Sequence, residues 1–531
     1  MDDALAEILA HPALDRAASL ELGVSTSAFQ SEGDLDLPGR PRTHWYDAQR
    51  RGDVERIGQG AGLWRRFDEA ARRCEPLGLK RFRLTVEWAR LRPDGPRLSP
   101  RAVDAYADRL MILRGRGIEP IVTLHHFTHP RWLGMDLWLR HDAHALFASH
   151  AVEVIDALDA ALAARGGAPV SRVLTLNEPN MLALASYVAG VFPHGAPSLA
   201  EGSALGPVRA WRALDAMLAG HALAYQGIHA ARARRGAAPP DVSLNVNLLD
   251  LHGLGAGIFD LLRAPSLGVP FAGLDAWIGQ RRARWHAALF AGEEGSSRAR
   301  LAGALDRAWS RVSPLSTLAR TCDALYTARV APLDHLGIDL YDPYTAHQLR
   351  AAPALVEALA GFDLAGALDA AKGGVGLAEP WAWSPAPEAF VRMVRALNEG
   401  VPPLPIDVVE CGMSVARAPG ELRARPREDG LTRPAFLRAM LRAALAARVA
   451  HDQPLRAWLH WTLVDNYELG RWTPRFGLWS LGDPSEERPG AWGARDAQGE
   501  DAAAVLGAFA RAVRTSPVDR AALRSLFDDS K

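Results

Sequence analysis

The sequence predicts an α/β protein, a single-domain (β/α)₈ TIM barrel with long loop insertions. Three observations lead there. Short apolar or alternating runs recur along the 531 residues between Ala-rich amphipathic stretches, and strand–helix alternation over such a length signals a parallel sheet. The runs number eight, which suits a closed barrel, with an open doubly wound sheet as the alternative. Most of the runs end in His, Asn, Glu, Asp or Trp, and in a (β/α)₈ barrel the C-terminal strand ends form the active-site face.

The candidate strands are, in order, Leu20–Thr26, Arg81–Val86, Pro120–Leu124, Val173–Leu176, Val242–Leu248, His335–Tyr341, Ile406–Glu410 and Leu455–Trp461. Between them, Gly62–Leu77, Pro100–Arg116, Asp142–Ala164, Pro207–Arg235, Pro387–Gly400 and Arg433–Ala450 carry apolar residues at the three- and four-residue spacing of an amphipathic helix. Leu249–Leu333 is an insertion holding several helix-like pieces. Cys411–Gly430, rich in Pro, Arg and Gly, is a long loop. The barrel thus runs from Leu20 to Leu481, followed by an extension (482–531) with a helix-like Asp501–Val513. No linker separates these parts, so residues 1–531 are expected to form one domain.

Apolar residues at 48% and charged residues at 23% suit a large soluble core. Lys plus Arg equals Asp plus Glu at 61 each, which argues against nucleic acid or an anionic membrane as the main partner. Cys74, Cys322 and Cys411 lie too far apart in sequence for a disulfide framework and form no CxxC motif. The opening residues show no secretory signal, and no apolar run reaches the ~18 residues of a membrane span, so a cytoplasmic location is expected. His125, His126 and His129 invite a metal reading. Side chains alternate faces on a strand, however, so His125 and His126 would point apart; no metal and no cofactor are expected.

The strongest local signal is VLTLNEPN, Val173 to Asn180. A β-rich run stops at Asn177-Glu178-Pro179, and Pro179 biases Glu178 away from the helical region, leaving its carboxyl at a strand end. Glu410 ends an equivalent run in PLPIDVVECG. Two carboxyls at the ends of the fourth and seventh strands would face each other across a barrel mouth. Glycoside hydrolysis needs that arrangement: one carboxyl protonates the leaving oxygen and the other attacks the anomeric carbon. A separation of about 5–5.5 Å signals retention, and about 6.5–9.5 Å inversion.

Ordered motifs then give the chain a resemblance to glycoside hydrolase family 1, the β-glucosidase and β-galactosidase family of (β/α)₈ barrels. LELGVSTSAFQSEG, RFRLTVEWARLRP, PIVTLHHFTHP, TLNEP, HLGIDLYDPY, the Glu410 strand and HWTLVDNYELGRWTPRFGL follow one another as in that family. The resemblance implies Glu178 as acid/base, Glu410 as nucleophile, Arg83 beside the nucleophile and Tyr341 touching it. It implies sugar contacts from Gln30, His126, Trp461 and Glu468, and from Asn177 near the 2-hydroxyl. Arg83 would keep Glu410 ionised, while Glu178 would hold its proton through burial and the Glu410 charge.

Four positions depart from the family pattern: Cys411 and Asp339 stand where Asn is usual, and Leu469 and Phe127 where Trp is usual. An extra carboxylate at Asp339 would raise a neighbouring pKa unless it points away or meets an Arg. Glu468 would repel a phosphate, which disfavours 6-phosphosugars. The expected activity is a retaining exo-β-glycosidase acting on β-glucosides, β-galactosides or β-fucosides through a covalent intermediate, on a small-molecule or oligosaccharide β-glycoside. A transglycosylase and a catalytically weak sugar-binding protein are the alternatives. A homo-oligomer is left open.

Overall fold

The computed structural model describes residues 3–348, 378–468 and 470–528. Leu469, singled out above for its missing indole, lies outside them. Eight parallel strands close into a barrel in sequence order: β1 (Glu21–Ser25), β2 (Arg81–Thr85), β3 (Glu119–His125), β4 (Arg172–Asn177), β5 (Asp241–Asn247), β6 (Leu336–Leu340), β7 (Ile406–Cys411) and β8 (Leu455–Trp461), with β8 pairing back onto β1. Every strand overlaps the run that predicted it. Boundaries move by a residue or two: β7 continues through Cys411, and Tyr341 lies just beyond β6.

Helices flank the strands as their apolar spacing requires. Pro100–Arg114 starts on a Ser99 side chain that accepts from Ala102 N, with Pro100 in the first turn. Gly62–Leu77, expected as one helix, is shorter: Phe67–Cys74 is α-helical and Glu75–Leu77 forms a 3₁₀ turn, with Pro76 at its first turn. The insertion after β5 folds into helices Ala256–Arg263, Leu274–Leu289, Ser297–Val312 and Ala319–Ala328. The extension forms helix Ala502–Arg514, which packs on helix Arg433–Val449. A short antiparallel pair, Val415–Ala416 with Pro474–Arg475, ties the loop after β7 to the loop after β8. Among the described residues no helix is long and apolar enough to cross a membrane.

The two ends of the barrel differ in chemistry. At the N-terminal ends of the strands a network of ion pairs closes the floor. Asp407 meets Arg172 at 3.2 Å and Arg456 at 2.7 Å, Arg172 reaches Glu21 at 3.3 Å, and His335 and Arg456 both contact Asp241. Burial alone would raise the Asp407 carboxyl, but His335, Arg456 and Arg172 bring it below the usual range. A depressed carboxyl stabilises the fold above its unfolded pKa and loses that contribution as pH falls through the folded value. Asp407→Ala is expected to cost about 3–5 kcal/mol at neutral pH, because it strands buried cations. Urea unfolding at stepped pH checks this: the midpoints of variant and wild type should converge on acidification, and a pH-independent gap would contradict it.

Candidate active site

The C-terminal strand ends open into a cavity of about 340 Å³. Its inner part is polar. Gln30, His126, Glu178, Tyr341, Glu410, Trp461 and Glu468 all line it, as the motifs predict. Arg83 and Asn177 do not line it; they lie beneath, both buried.

Arg83 organises this floor from β2. Its Nε donates to Thr123 Oγ1 at 2.6 Å, Nη1 to Ser25 Oγ at 3.0 Å and to Glu410, and Nη2 to Asn177 Oδ1 at 2.6 Å. One guanidinium thus ties β1, β3, β4 and β7 together, using the planar fork that Lys lacks. Tyr341 OH donates to the other Glu410 oxygen at 2.6 Å. Among the described residues no cation pairs with Glu178. Its Oε1 accepts from Asn247 Nδ2 at 2.7 Å. Its backbone is left-handed, φ 40° and ψ 61°, where the strand turns into helix Pro179–Tyr187. A non-glycine residue held there at a site is a local strain that the surrounding structure sustains.

The two carboxyls therefore have unequal surroundings. Burial and the Glu410 charge push Glu178 up to about 8, against the Asn247 hydrogen bond and Arg83. Burial also raises Glu410, outweighing Arg83 and Tyr341; the sequence reading, with Arg83 alone in view, expects only the lowering effect. The proton nevertheless favours Glu178, because Glu410 accepts from both a guanidinium and a phenol. One oxygen each of Glu178, Glu410 and Asp339 lies within 4.8 Å of the others. Asp339 does not point away, and among the described residues it meets no Arg in a hydrogen bond; the extra carboxyl sits in the cluster.

Two of the expected sugar-contacting residues already hold protein hydrogen bonds. The Trp461 indole N–H is committed to Glu468 at 2.7 Å, while Gln30 Nε2 holds the other Glu468 oxygen at 2.8 Å. The three form a bonded unit, and burial raises Glu468 to about 8 against the Trp461 hydrogen bond. Asn177 spends its carbonyl on Arg83 and on Asn245 Nδ2 (2.7 Å), leaving only the Nδ2 group free of protein hydrogen bonds. His126 stacks on Trp461 at 5.6 Å and, pushed well down by burial, is neutral. His125 faces away into Trp88 and Trp138, and His129 stacks on His44, so the three histidines share no centre. Among the described residues the potential metal-ligand group is the carboxyl trio itself, where Arg83 already pairs with Glu410. The Cys411 thiol is buried and driven far up in pKa, which leaves it inert.

Sequence reasoning missed Asn245 and Asn247 on β5. Both belong to the alternation Asn245-Val246-Asn247, which aims two amides to one face. It also missed the outer wall of the cavity. Met181, Leu184 and Val188 from helix Pro179–Tyr187 and its end, Leu249, Leu251 and Leu254 from the start of the insertion, and Trp383 make it apolar. Leu249, Leu251 and Leu254 form a cluster with Met181, Leu184, Leu305 and Trp309.

Comparison with known proteins agrees with the motifs. Residues 18–247 match the sequence model of glycosyl hydrolase family 1. A cytosolic beta-glucosidase from Cavia porcellus is 29% identical over 216 residues, 39% of this chain and 43% of that protein. A 6-phospho-beta-galactosidase from Lacticaseibacillus casei is 29% identical over 174 residues, 32% of this chain and 35% of that protein. The aligned region thus spans less than half the length of these curated relatives. A beta-glucosidase from Thermotoga maritima in complex with castanospermine superposes with TM-score 0.61 at 19% identity, covering 87% of this chain and 92% of that one. One from Exiguobacterium marinum gives TM-score 0.61 at 19% identity, covering 93% and 98%; such likeness speaks for the fold. From residue 18 to 247, through the fifth strand of the barrel, the chain is similar to glycosyl hydrolase family 1.

Proposed function

We propose that the protein is a retaining exo-β-glycosidase. The observation that carries this reading is the pair Glu178 and Glu410, with oxygens within 4.8 Å and opposite electrostatic support. That spacing falls on the retaining side of the about 5–5.5 Å and about 6.5–9.5 Å classes. Glu410, oriented by Arg83 and Tyr341, attacks the anomeric carbon as Glu178 gives its proton to the departing oxygen. The product is a glycosyl ester on Glu410, and its formation removes the charge that raised Glu178. Glu178 then takes a proton from water, which attacks the anomeric carbon and releases Glu410 as a carboxylate. The Gln30–Glu468–Trp461 unit and His126 supply fixed donors and acceptors for sugar hydroxyls. Arg471, which also lines the cavity, is paired with Glu379 at 2.9 Å, so the reading favours neutral sugars: β-glucosides, β-galactosides or β-fucosides.

A cavity of about 340 Å³ suits a sugar ring with part of an aglycone, in keeping with exo action. The aliphatic outer wall fits an apolar aglycone. It also holds an alcohol acceptor equally well, which makes transglycosylation the second reading. A cytoplasmic location belongs to the same proposal, supported by the cytosolic beta-glucosidases among the relatives. A panel of β-glycosides tests it. Phenol release is expected from aryl glycosides, with KM falling as the aglycone becomes more apolar, and a glycosylated alcohol would appear with added alcohol if transfer competes. Folded, sugar-binding protein that turns over no member of the panel would refute the enzymatic reading.

A further inference from the structure

We propose that Asp339 is a neutral, protonated carboxylic acid beneath the catalytic pair, a positioning residue whose neutrality leaves the Arg83 charge to Glu410 alone. Its role in catalysis rests on the glycosidase reading; its protonation does not. Strand register places Asp339 directly beside Glu410, in the pairing of β6 with β7, and opposite Asn247 in the pairing with β5. It is fully buried and absent from the cavity lining, so it touches no substrate.

Its surroundings do not support an anion. The groups facing it are Glu410 and Cys411 on β7, Glu178 at the end of β4, Arg83 on β2, Tyr341 beyond its own strand, and on β5 only amides. Arg83 is the cation of this set, and its N–H groups go to Thr123, Ser25, Glu410, Asn177 and, at 3.5 Å, Asn245. Asp339 Oδ2 accepts from Asn245 Nδ2, and Oδ1 has no protein hydrogen-bond partner. An ionised carboxylate so placed would be desolvated, next to another anion and nearly without donors, whereas the neutral acid removes the repulsion. Burial first, then Glu410 and Glu178, push Asp339 well above the usual carboxyl range. With Glu178 and Asp339 both protonated, Arg83 and Glu410 cancel. Through Oδ2 Asp339 also accepts from Asn245, whose amide donates to Asn177 as well, so the ladder Asp339–Asn245–Asn177–Arg83 sets the guanidinium in place.

Asp339→Asn keeps the acceptor and cannot ionise, so it separates the cases. The alkaline limb of its kcat/KM profile should not move relative to wild type. If Asp339 were anionic in the wild type, removing that charge would lower the Glu178 pKa. The limb would then shift acidward by about one unit or more, and the proposal would fail. The second readout needs no activity. A carboxyl whose folded pKa is raised contributes fully below its unfolded pKa and loses that contribution as pH rises toward the folded value. The unfolding constant of wild type relative to the variant should therefore grow about tenfold per pH unit above the ordinary Asp range. A gap that stays constant with pH overturns the proposal, whether or not the protein proves to be a glycosidase. Asp339→Ser, which also carries an uncharged donor, repeats both measurements should the Asn variant not fold.

Discussion

Glu410→Gly is expected to abolish turnover of every β-glycoside, a loss on the order of 10⁴-fold or more, because it removes the carboxylate proposed to form the covalent intermediate. The buried side chain leaves a space between Arg83 and Tyr341 that a small anion fits. Azide should restore part of the rate with an activated aryl glycoside and leave an α-glycosyl azide, since it attacks from the face Glu410 occupied. Glu410→Gln supplies the control: it keeps groups near Arg83 and Tyr341, fills the space, and should be inactive without azide rescue. Product stereochemistry by NMR decides the matter. A Glu410→Gly variant within tenfold of wild type, or a β-azide product, would remove Glu410 from the nucleophile role.

Glu178→Gln should lose about 10²–10⁴-fold on glycosides with alkyl leaving groups, the range that general-acid catalysis supplies. Aryl glycosides with acidic phenols should suffer less in the first step, because such leaving groups need no proton, and should then accumulate the glycosyl-enzyme when water lacks its base. The Gln carbonyl can still accept from Asn247, which meets Glu178 at 2.7 Å, so folding should be retained. Glu178 must be protonated to act, so wild-type activity should fall as pH rises through about 8. Glu410 must be ionised, and burial moves it up, so the acid limb should lie above the ordinary glutamate range. The variant should keep the acid limb and lose the alkaline one. Equal losses across all leaving groups, with the alkaline limb intact, would show that Glu178 is not the acid.

Much of this site is legible before any coordinates. Glu178 stands out because Pro179 follows a β-rich run, and the structure puts it at a strand-to-helix corner with positive φ. Arg83, Glu410 and Tyr341 sit in ordered motifs, and their contacts form as the motifs imply. Asn245 and Asn247 were not legible. An Asn-Val-Asn alternation is common, and its meaning depends on register with β4 and β6, which brings one amide to Asn177 and the other to Glu178. Asp339 was legible as an oddity, but its consequence was not: a carboxylate that turns toward solvent or an Arg and one that crowds Glu410 read alike in one dimension.

The apolar wall follows the same logic. Leu249, Leu251 and Leu254 begin an insertion whose helices reveal nothing locally about which side of the barrel mouth they cover. Only packing against Met181 and Leu184 turns them into one face of the cavity. Likewise the sequence does not show that the Trp461 indole N–H goes to Glu468, seven positions on. The sequence by itself determined the barrel, the order of its strands and the identity of the two opposed carboxyls, because hydrophobic periodicity and strand-end chemistry are local properties of the chain. The tertiary structure alone decided the surroundings of each carboxyl and what the cavity wall is made of. Burial, field and hydrogen-bond partners at one point are supplied by strands tens to hundreds of residues apart.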